Sequence, residues 1–253
     1  MSLEGKLEFW SVTDVGRQRS HNEDCIGSDS RLGVAILADG MGGYQAGEVA
    51  SAIAVEVILD RLQSGLIRLK DGGIDEHSGF SLESVLVKEA IEHANHTIYT
   101  KAQAEPQCQG MGTTLVVVAF YDNRMTIAHV GDSRAYRMRE DHLEQLTSDH
   151  SLLQELVNRG FYTEEEAKQS LNKNLLTRAI GIETTVTPDV QEDMVKPGDI
   201  YLLCSDGLSD LVDDDTIHAT LSAHRDNLEK AARVMVQKAN DSGGKDNISV
   251  VLA

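Results

Sequence analysis

Basic residues are scarce in this chain: 23 lysines and arginines stand against 41 aspartates and glutamates, a formal charge of −18. A surface of that sign disfavours nucleic acid and anionic membranes, which need clustered Lys and Arg. It is compatible with binding cations. Cysteine is scarce too. Cys25, Cys108 and Cys204 are odd in number, widely spaced and without a C-x-x-C pair. They form no disulfide framework, and they point to a reducing, cytoplasmic compartment. The opening "MSLEGKLEFW" has no apolar signal core, and no apolar run approaches the length of a membrane span. Membrane insertion is therefore not expected. Proline occurs only at 106, 188 and 197, and no repeat or low-complexity linker divides the 253 residues. No HExxH or Cys/His spacing supports zinc, and "GMGGYQAG" from Gly40 is neither GxGxxG nor GxxxxGK.

What remains is an ordinary globular composition, 41% hydrophobic and 25% charged, with enough length for a sizeable core. Short β-branched or apolar runs predict strands at Glu8–Val12, Leu32–Ala38, Thr114–Phe120, Met125–Val130, Ala135–Arg139, Ile200–Ser205 and Ile248–Leu252. Hairpin turns are expected at "YDNR" and "REDH". Apolar spacing of three and four predicts long helices over Glu48–Leu62 and Ser81–Lys101. Shorter helices are expected over Leu152–Asn158, Asp215–Ser222 and Leu228–Ala239, and "TEEE" from Thr163 reads as a capping box. Strands and helices come in blocks, which favours α+β with antiparallel sheets over a doubly wound parallel fold.

Five aspartates stand beside strand-like runs: Asp14, Asp39, Asp132, Asp206 and Asp246. Each alone is explicable as turn chemistry. Asp39-Gly40 fits a hairpin poorly, because a helix follows it. Together the five suggest that several strands deliver carboxylates to one end of a sheet. Such groups repel, so a cation must neutralise them or their pKa values must rise. Oxygen-only ligation suits Mg²⁺ or Mn²⁺. The segment "GRQRSHNEDC" adds Arg17, Arg19, Glu23 and Asp24. A guanidinium beside carboxylate-bound metal is what a phosphate ester needs, since its fork grips the non-reacting oxygens. A surface salt bridge is the plainer account of the same residues.

The motifs "DVGRQRSHNED", "ADGMGG", "GMGTTL", "HVGDSRAY", "LLCSDGLSD" and "GGKDNISVV" run from Asp14 to Val251. In order and approximate spacing they resemble the metal-dependent serine/threonine protein phosphatases, the PPM or phosphatase 2C family, in a minimal bacterial form. The resemblance implies an α+β fold: a central β-sandwich of two antiparallel sheets flanked by α-helices, in α-β-β-α layers. It implies one catalytic domain over 1–253, with a flap at about 149–178 bordering the site. The activity implied is hydrolysis of phosphoserine and phosphothreonine by a water activated at a dinuclear Mn²⁺ or Mg²⁺ centre. The partners implied are phosphoproteins, opposite a bacterial Ser/Thr kinase.

Position by position, the resemblance makes Asp39 the carboxylate bridging two metals. The Gly40 carbonyl and Glu23 would serve the second metal, and Asp206 and Asp246 the first. Asp132 would hold a weaker third ion, shared with Asp206 and with Asp210 as a further candidate. Arg19, four residues before Glu23, stands where the family's phosphate-binding arginine lies, and Arg17 does not. The chain departs from the family at Met41 and Tyr44, where a histidine often stands as general acid for the leaving alkoxide. Two other readings are weighed. One is a non-catalytic interaction module on the same fold. The other is a cysteine-dependent phosphatase, from the C-x5-R spacing of Cys25 and Arg31; acidic Asp24 and Asp29 would oppose a thiolate there.

Overall fold

The computed structural model describes residues 5–43, 46–69, 73–163, 166 and 175–253. Eleven strands form two antiparallel sheets among these residues. The first sheet is ordered β1 (Trp10–Asp14), β11 (Ile248–Leu252), β10 (Ile200–Cys204), β7 (Arg134–Arg139), β8 (His142–Gln145). The second is ordered β2 (Asp24–Asp29), β3 (Val34–Met41), β5 (Leu115–Tyr121), β6 (Arg124–Val130), β9 (Asp189–Met194), with the short β4 (Gly112–Thr113) beside the end of β3.

Apolar alternation on the inner strands explains the layering. Leu37, Val116, Val118, Ile127, Leu203 and Val251 meet between the sheets. The opposite faces of the same strands turn outward: Ile36, Val117 and Ala128 pack with α1 (Ala46–Leu66) and α2 (Leu82–Ala104). On the other side, Leu202, Cys204 and Val250 pack with α5 (Asp214–Ala223) and α6 (Leu228–Asp241). Strands whose two faces are both covered read as continuous apolar runs, as these do. The result is the expected α-β-β-α sandwich. Two further helices are short: α3 (Leu152–Asn158), after β8, and α4 (Asp206–Ser209), which touches β10, β11 and α6.

Several expected boundaries shift by a residue or two, and the long helices gain a turn; Ser81 is the N-cap of α2, its side chain accepting from Ser84 N–H. Both hairpins form. Asp122 and Asn123 have φ of 42° and 59°, as a tight primed turn requires, and Glu140 has 57°. At the proposed capping box, Glu166 accepts from Thr163 N–H at 2.8 Å, and Thr163 Oγ1 accepts from Glu166 N–H. Besides the two-residue β4, three strands escape the sequence reading: β2 ("DCIGSD"), β8 ("HLEQ") and β9 ("DVQEDM"). All are sheet edges and polar, so neither alternation nor an apolar run marks them. In β2 the glycine has a packing cause, because a Cβ on Gly27 would stand 2.5 Å from Val55 and 2.7 Å from Leu59 of α1.

Candidate functional site

The antiparallel register sends one set of strand ends to a common pole. Asp39 lies near the end of β3, whose neighbour β5 begins there, with Thr114 N–H donating to the Asp39 carbonyl at 2.8 Å. Asp132 follows β6, Asp206 follows β10, and Asp246 precedes β11 at the same pole. The sandwich thus unites carboxylates that are distant in sequence.

The glycine loop permits this closeness. A Cβ on Gly40 would lie 2.1 Å from the Gly47 carbonyl oxygen and 2.6 Å from that of Glu23. A Cβ on Gly47 would lie 2.7 Å from Glu23 Oε1. The start of α1 therefore presses directly on the end of β3 and on Glu23. Its unpaired N–H groups favour negative charge nearby. Glu23 is fixed through its backbone: its N–H donates to Asn247 Oδ1 at 2.8 Å, and its carbonyl accepts from Gly40 N–H and Ser51 Oγ.

Burial drives the electrostatics, and the like charges add to it. Burial, then Asp24, Asp206, Asp132 and Asp246, pushes the Asp39 carboxyl well above the usual range. Asp206 is raised in the same way, by burial and then by Asp132, Asp246 and Asp210. Asp132 is pushed up to about 6 by burial and by Asp149. Asp246 donates no charge relief; it receives some, because Arg19 Nη2 donates to its Oδ2 at 2.6 Å. That guanidinium remains half exposed at the edge of the acid cluster, within reach of the charges of Glu23 and Asp206. The Arg17 backbone N–H donates to the Gly244 carbonyl and its side-chain stem lies against Gly244, a structural rather than a site position.

Two assignments from the sequence change. Asp14 leaves the group: its Oδ1 accepts from Gly16 N–H at 2.8 Å and from Asn240 Nδ2 at 3.0 Å, which is turn and helix-end chemistry. Asp24 joins it. It is directly opposite Asp39 across the β2–β3 ladder, buried, and its Oδ2 accepts from Ser205 Oγ at 2.9 Å. Burial pushes Asp24 up to about 6. Its signal was present in "NED", but an acid inside an unrecognised edge strand has no predictable direction. Met41 ends β3 and offers no proton; Tyr44 lies outside the described residues. The Cys25 reading fails on geometry. Cys25 sits within β2 with its thiol raised by burial, and Arg31 is turned to solvent beside Asp29.

The acids suit a hard cation. Glu23 Oε1, Asp24 Oδ1 and Asp206 Oδ1 are buried without a hydrogen-bond partner. Orphaned carboxylate oxygens cost free energy unless something positive meets them. An oxygen-only donor set of this charge fits Mg²⁺ or Mn²⁺. A cavity of about 580 Å³ lies elsewhere: Phe120, Tyr201 and Ala253 line it at the far pole of the strands.

Comparison with known proteins agrees with this geometry. The family model described as protein phosphatase 2C matches residues 11–248. The serine/threonine phosphatase stp of Listeria innocua is 39% identical over 243 residues, covering 95% of this chain and 92% of its own. The crystal structure of Stp1 from Staphylococcus aureus superposes with a TM-score of 0.87 at 35% identity, covering 100% of this chain and 96% of that one. A catalytic domain of the phosphatase PstP, solved with two manganese ions, superposes at 0.83 with 34% identity over 97% and 96% of the two chains. An acid-lined pole on a two-sheet sandwich, matched along nearly its whole length, places this chain in the protein phosphatase 2C family of serine/threonine phosphatases.

Proposed function

We propose that the chain is a single catalytic domain that hydrolyses phosphoserine and phosphothreonine in bacterial proteins at a dinuclear Mn²⁺ or Mg²⁺ site. The observation that carries this is the convergence of Glu23, Asp39, Asp206 and Asp246 at one pole, with the Arg19 guanidinium on Asp246. Asp39, Asp206 and Asp246 would hold one cation, and Asp39, Glu23 and the Gly40 carbonyl the other. Asp132, with Asp206 and Asp210, would hold a weaker third ion. When bound, the cations would neutralise these carboxylates and supply the Lewis acidity that activates water and offsets charge on the phosphate.

The chain's own residues supply the rest. Arg19 is exposed enough to exchange Asp246 for the non-reacting phosphate oxygens, and its fork fits them in both the bound and the transition state. Asn247 holds Glu23 by its backbone and joins the loop before β11 to the loop before β2, through Val15 and His21 carbonyls. A serine alkoxide leaves poorly without a proton, and a positioned acid contributes roughly 10²–10⁴-fold. Met41 cannot supply it. The opposing partner would be a Ser/Thr kinase acting on the same phosphoproteins. The direct test is hydrolysis of p-nitrophenyl phosphate and a phosphothreonine peptide with Mn²⁺, with Mg²⁺ and in EDTA. Full activity in EDTA would sink the metal mechanism; Mn²⁺ binding without hydrolysis would leave the interaction-module reading.

A further inference from the structure

One residue outside the acid cluster joins the turn that carries Asp132 to the base of the segment from Asp149 to Arg178. The turn begins at Gly131, whose φ is +104° and whose added Cβ would meet Thr114 Cβ at 2.7 Å. Only glycine fits there; on its other side the turn is held by Ser133 Oγ, 2.7 Å from Thr114 Oγ1. Both polar backbone groups of Gly131 go to His150. The Gly131 N–H donates to His150 Nδ1 at 3.1 Å, and the Gly131 carbonyl accepts from the His150 N–H at 2.9 Å.

The other two polar groups of His150 point the opposite way. Its carbonyl accepts from Thr177 N–H at 2.8 Å, and its Nε2 lies 3.3 Å from Asp189 Oδ2. Arg178 Nη1 donates to the second oxygen of that carboxylate at 2.6 Å. The ring is buried and stacked on His129 at 4.5 Å between centroids. Beside it, Ser151 bridges to Leu176, and Leu152 N–H donates to the Leu175 carbonyl. His150 is thus the first residue of the closing seam of this segment and the sole side-chain acceptor for the Gly131 amide among the bonds of the described residues.

His129, His150 and Asp189 place three ligand atoms within 4.8 Å, which invites a metal reading. The hydrogen bonds oppose it. Nδ1 of His150 already accepts from a backbone amide, so the neutral ring carries its proton on Nε2, the atom facing Asp189. His129 Nε2 faces the Ser148 carbonyl at 2.9 Å and must likewise be protonated there. The cluster is a proton-bearing strut. It leaves no lone pair on His150 Nε2 for a cation.

We propose that His150 is a positioning residue that sets the Gly131–Asp132 turn through its Nδ1 and links that turn to the base of the Asp149–Arg178 segment. The proposal rests on the reading of Asp132 as a cation ligand, and it assigns His150 no contact with substrate or metal. Misplacing a ligand through its supporting residue costs metal affinity or rate about 10- to 100-fold.

Two polar variants separate the two ends of the ring. His150→Asn keeps an acceptor near the Nδ1 position and loses the reach to Asp189. His150→Gln keeps a donor near Nε2 and loses the acceptor. The expected result is that His150→Asn stays close to wild type, while His150→Gln loses about tenfold in kcat on p-nitrophenyl phosphate and needs more Mn²⁺, with KM little changed. In the metal-free protein, Gly131 amide exchange should quicken in His150→Gln and not in His150→Asn. Equal behaviour of the two variants, or the reverse order, would overturn the proposal. So would a failure of His150→Gln to fold, since His150 would then act through stability alone. Asp132→Asn is assayed alongside. If it retains full metal-dependent activity, the ligand reading of Asp132 fails; if it is impaired and folded His150→Gln is not, the positioning role fails.

Discussion

Asp39 concentrates the chemistry and the strain of the site in one side chain. Its carboxyl is held well above the normal range by burial and by four neighbouring aspartates. Replacing it with Asn should therefore have two opposite effects. Activity should fall about a thousandfold or more, as several kcal/mol of transition-state stabilisation are lost. The metal-free protein should melt higher than wild type, because one buried like charge has been removed. Hydrolysis at saturating Mn²⁺ and thermal melts in EDTA check both halves; unchanged activity would remove Asp39 from the mechanism. Arg19→Ala should mainly raise KM, because phosphate is gripped equally before and during reaction, and Arg17→Ala should do much less. Steady-state kinetics with a phosphopeptide decides it, and a reversed order would mean that the phosphate grip belongs to Arg17. Asp39 could be singled out by the apolar run and glycine loop that flank it in sequence, and Arg19 by the family resemblance of its motif. Asp24 could not, since its value comes from lying opposite Asp39 and beside Ser205, 181 residues away in the chain.

At the scale of elements, the edge strand β2 and the helix α1 act as a unit that holds Glu23 and Asp39 together. Gly27 is where they touch. Gly27→Ala would force a Cβ to within 2.5 Å of Val55 and 2.7 Å of Leu59. The neighbours are side chains, so the helix should give way partly, at a cost of about 1–3 kcal/mol. Urea unfolding at constant slope should show the loss, and a neutral result would mean that α1 sits farther from β2 than the structure places it. The segment at 149–178 behaves differently. Its described part exposes Leu152, Phe161, Tyr162 and Leu175, apolar side chains available to a protein substrate. Replacing residues 160–173 with a short Gly-Ser linker should sharply reduce activity on phosphoproteins and spare p-nitrophenyl phosphate at matched Mn²⁺. An equal fall for both substrates would mean that the segment builds the catalytic centre itself. β2, β8 and β9 went unread for the same reason that they matter: polar edge strands carry no periodic apolar signal, and pairing on one side alone defines them.

The whole molecule is a strongly acidic body with a denser acidic pole, so its stability should be tied to cations. Buried oxygens on Glu23, Asp24 and Asp206 that lack a hydrogen-bond partner would gain a partner when a cation binds. A ligand at a hundred times its Kd adds about 2.7 kcal/mol, which for a chain of this size raises Tm by roughly 5–10 °C. Melts of the chelated protein with added Mn²⁺ should show that rise, with Asp39→Asn showing little of it. No rise at saturating Mn²⁺ in the wild type would contradict a folded-state cation site at this pole.

The sequence by itself determined the α+β class, the hairpin turns, most helix positions and the acids at strand ends, because each of these is set by residues close together along the chain. Its ordered motifs carried the family resemblance, and with it the sandwich, which periodicity alone does not give. Only the tertiary structure decided which acids share the pole. It exchanged Asp14 for Asp24, since a carboxylate spent on Gly16 and Asn240 looks in sequence like one delivered to a site. It also supplied the reason for Gly40 and Gly47, whose missing side chains let α1 meet Glu23. Strand register and close backbone approach are long-range facts, fixed when two sheets bury a common core, and no short stretch of sequence encodes them.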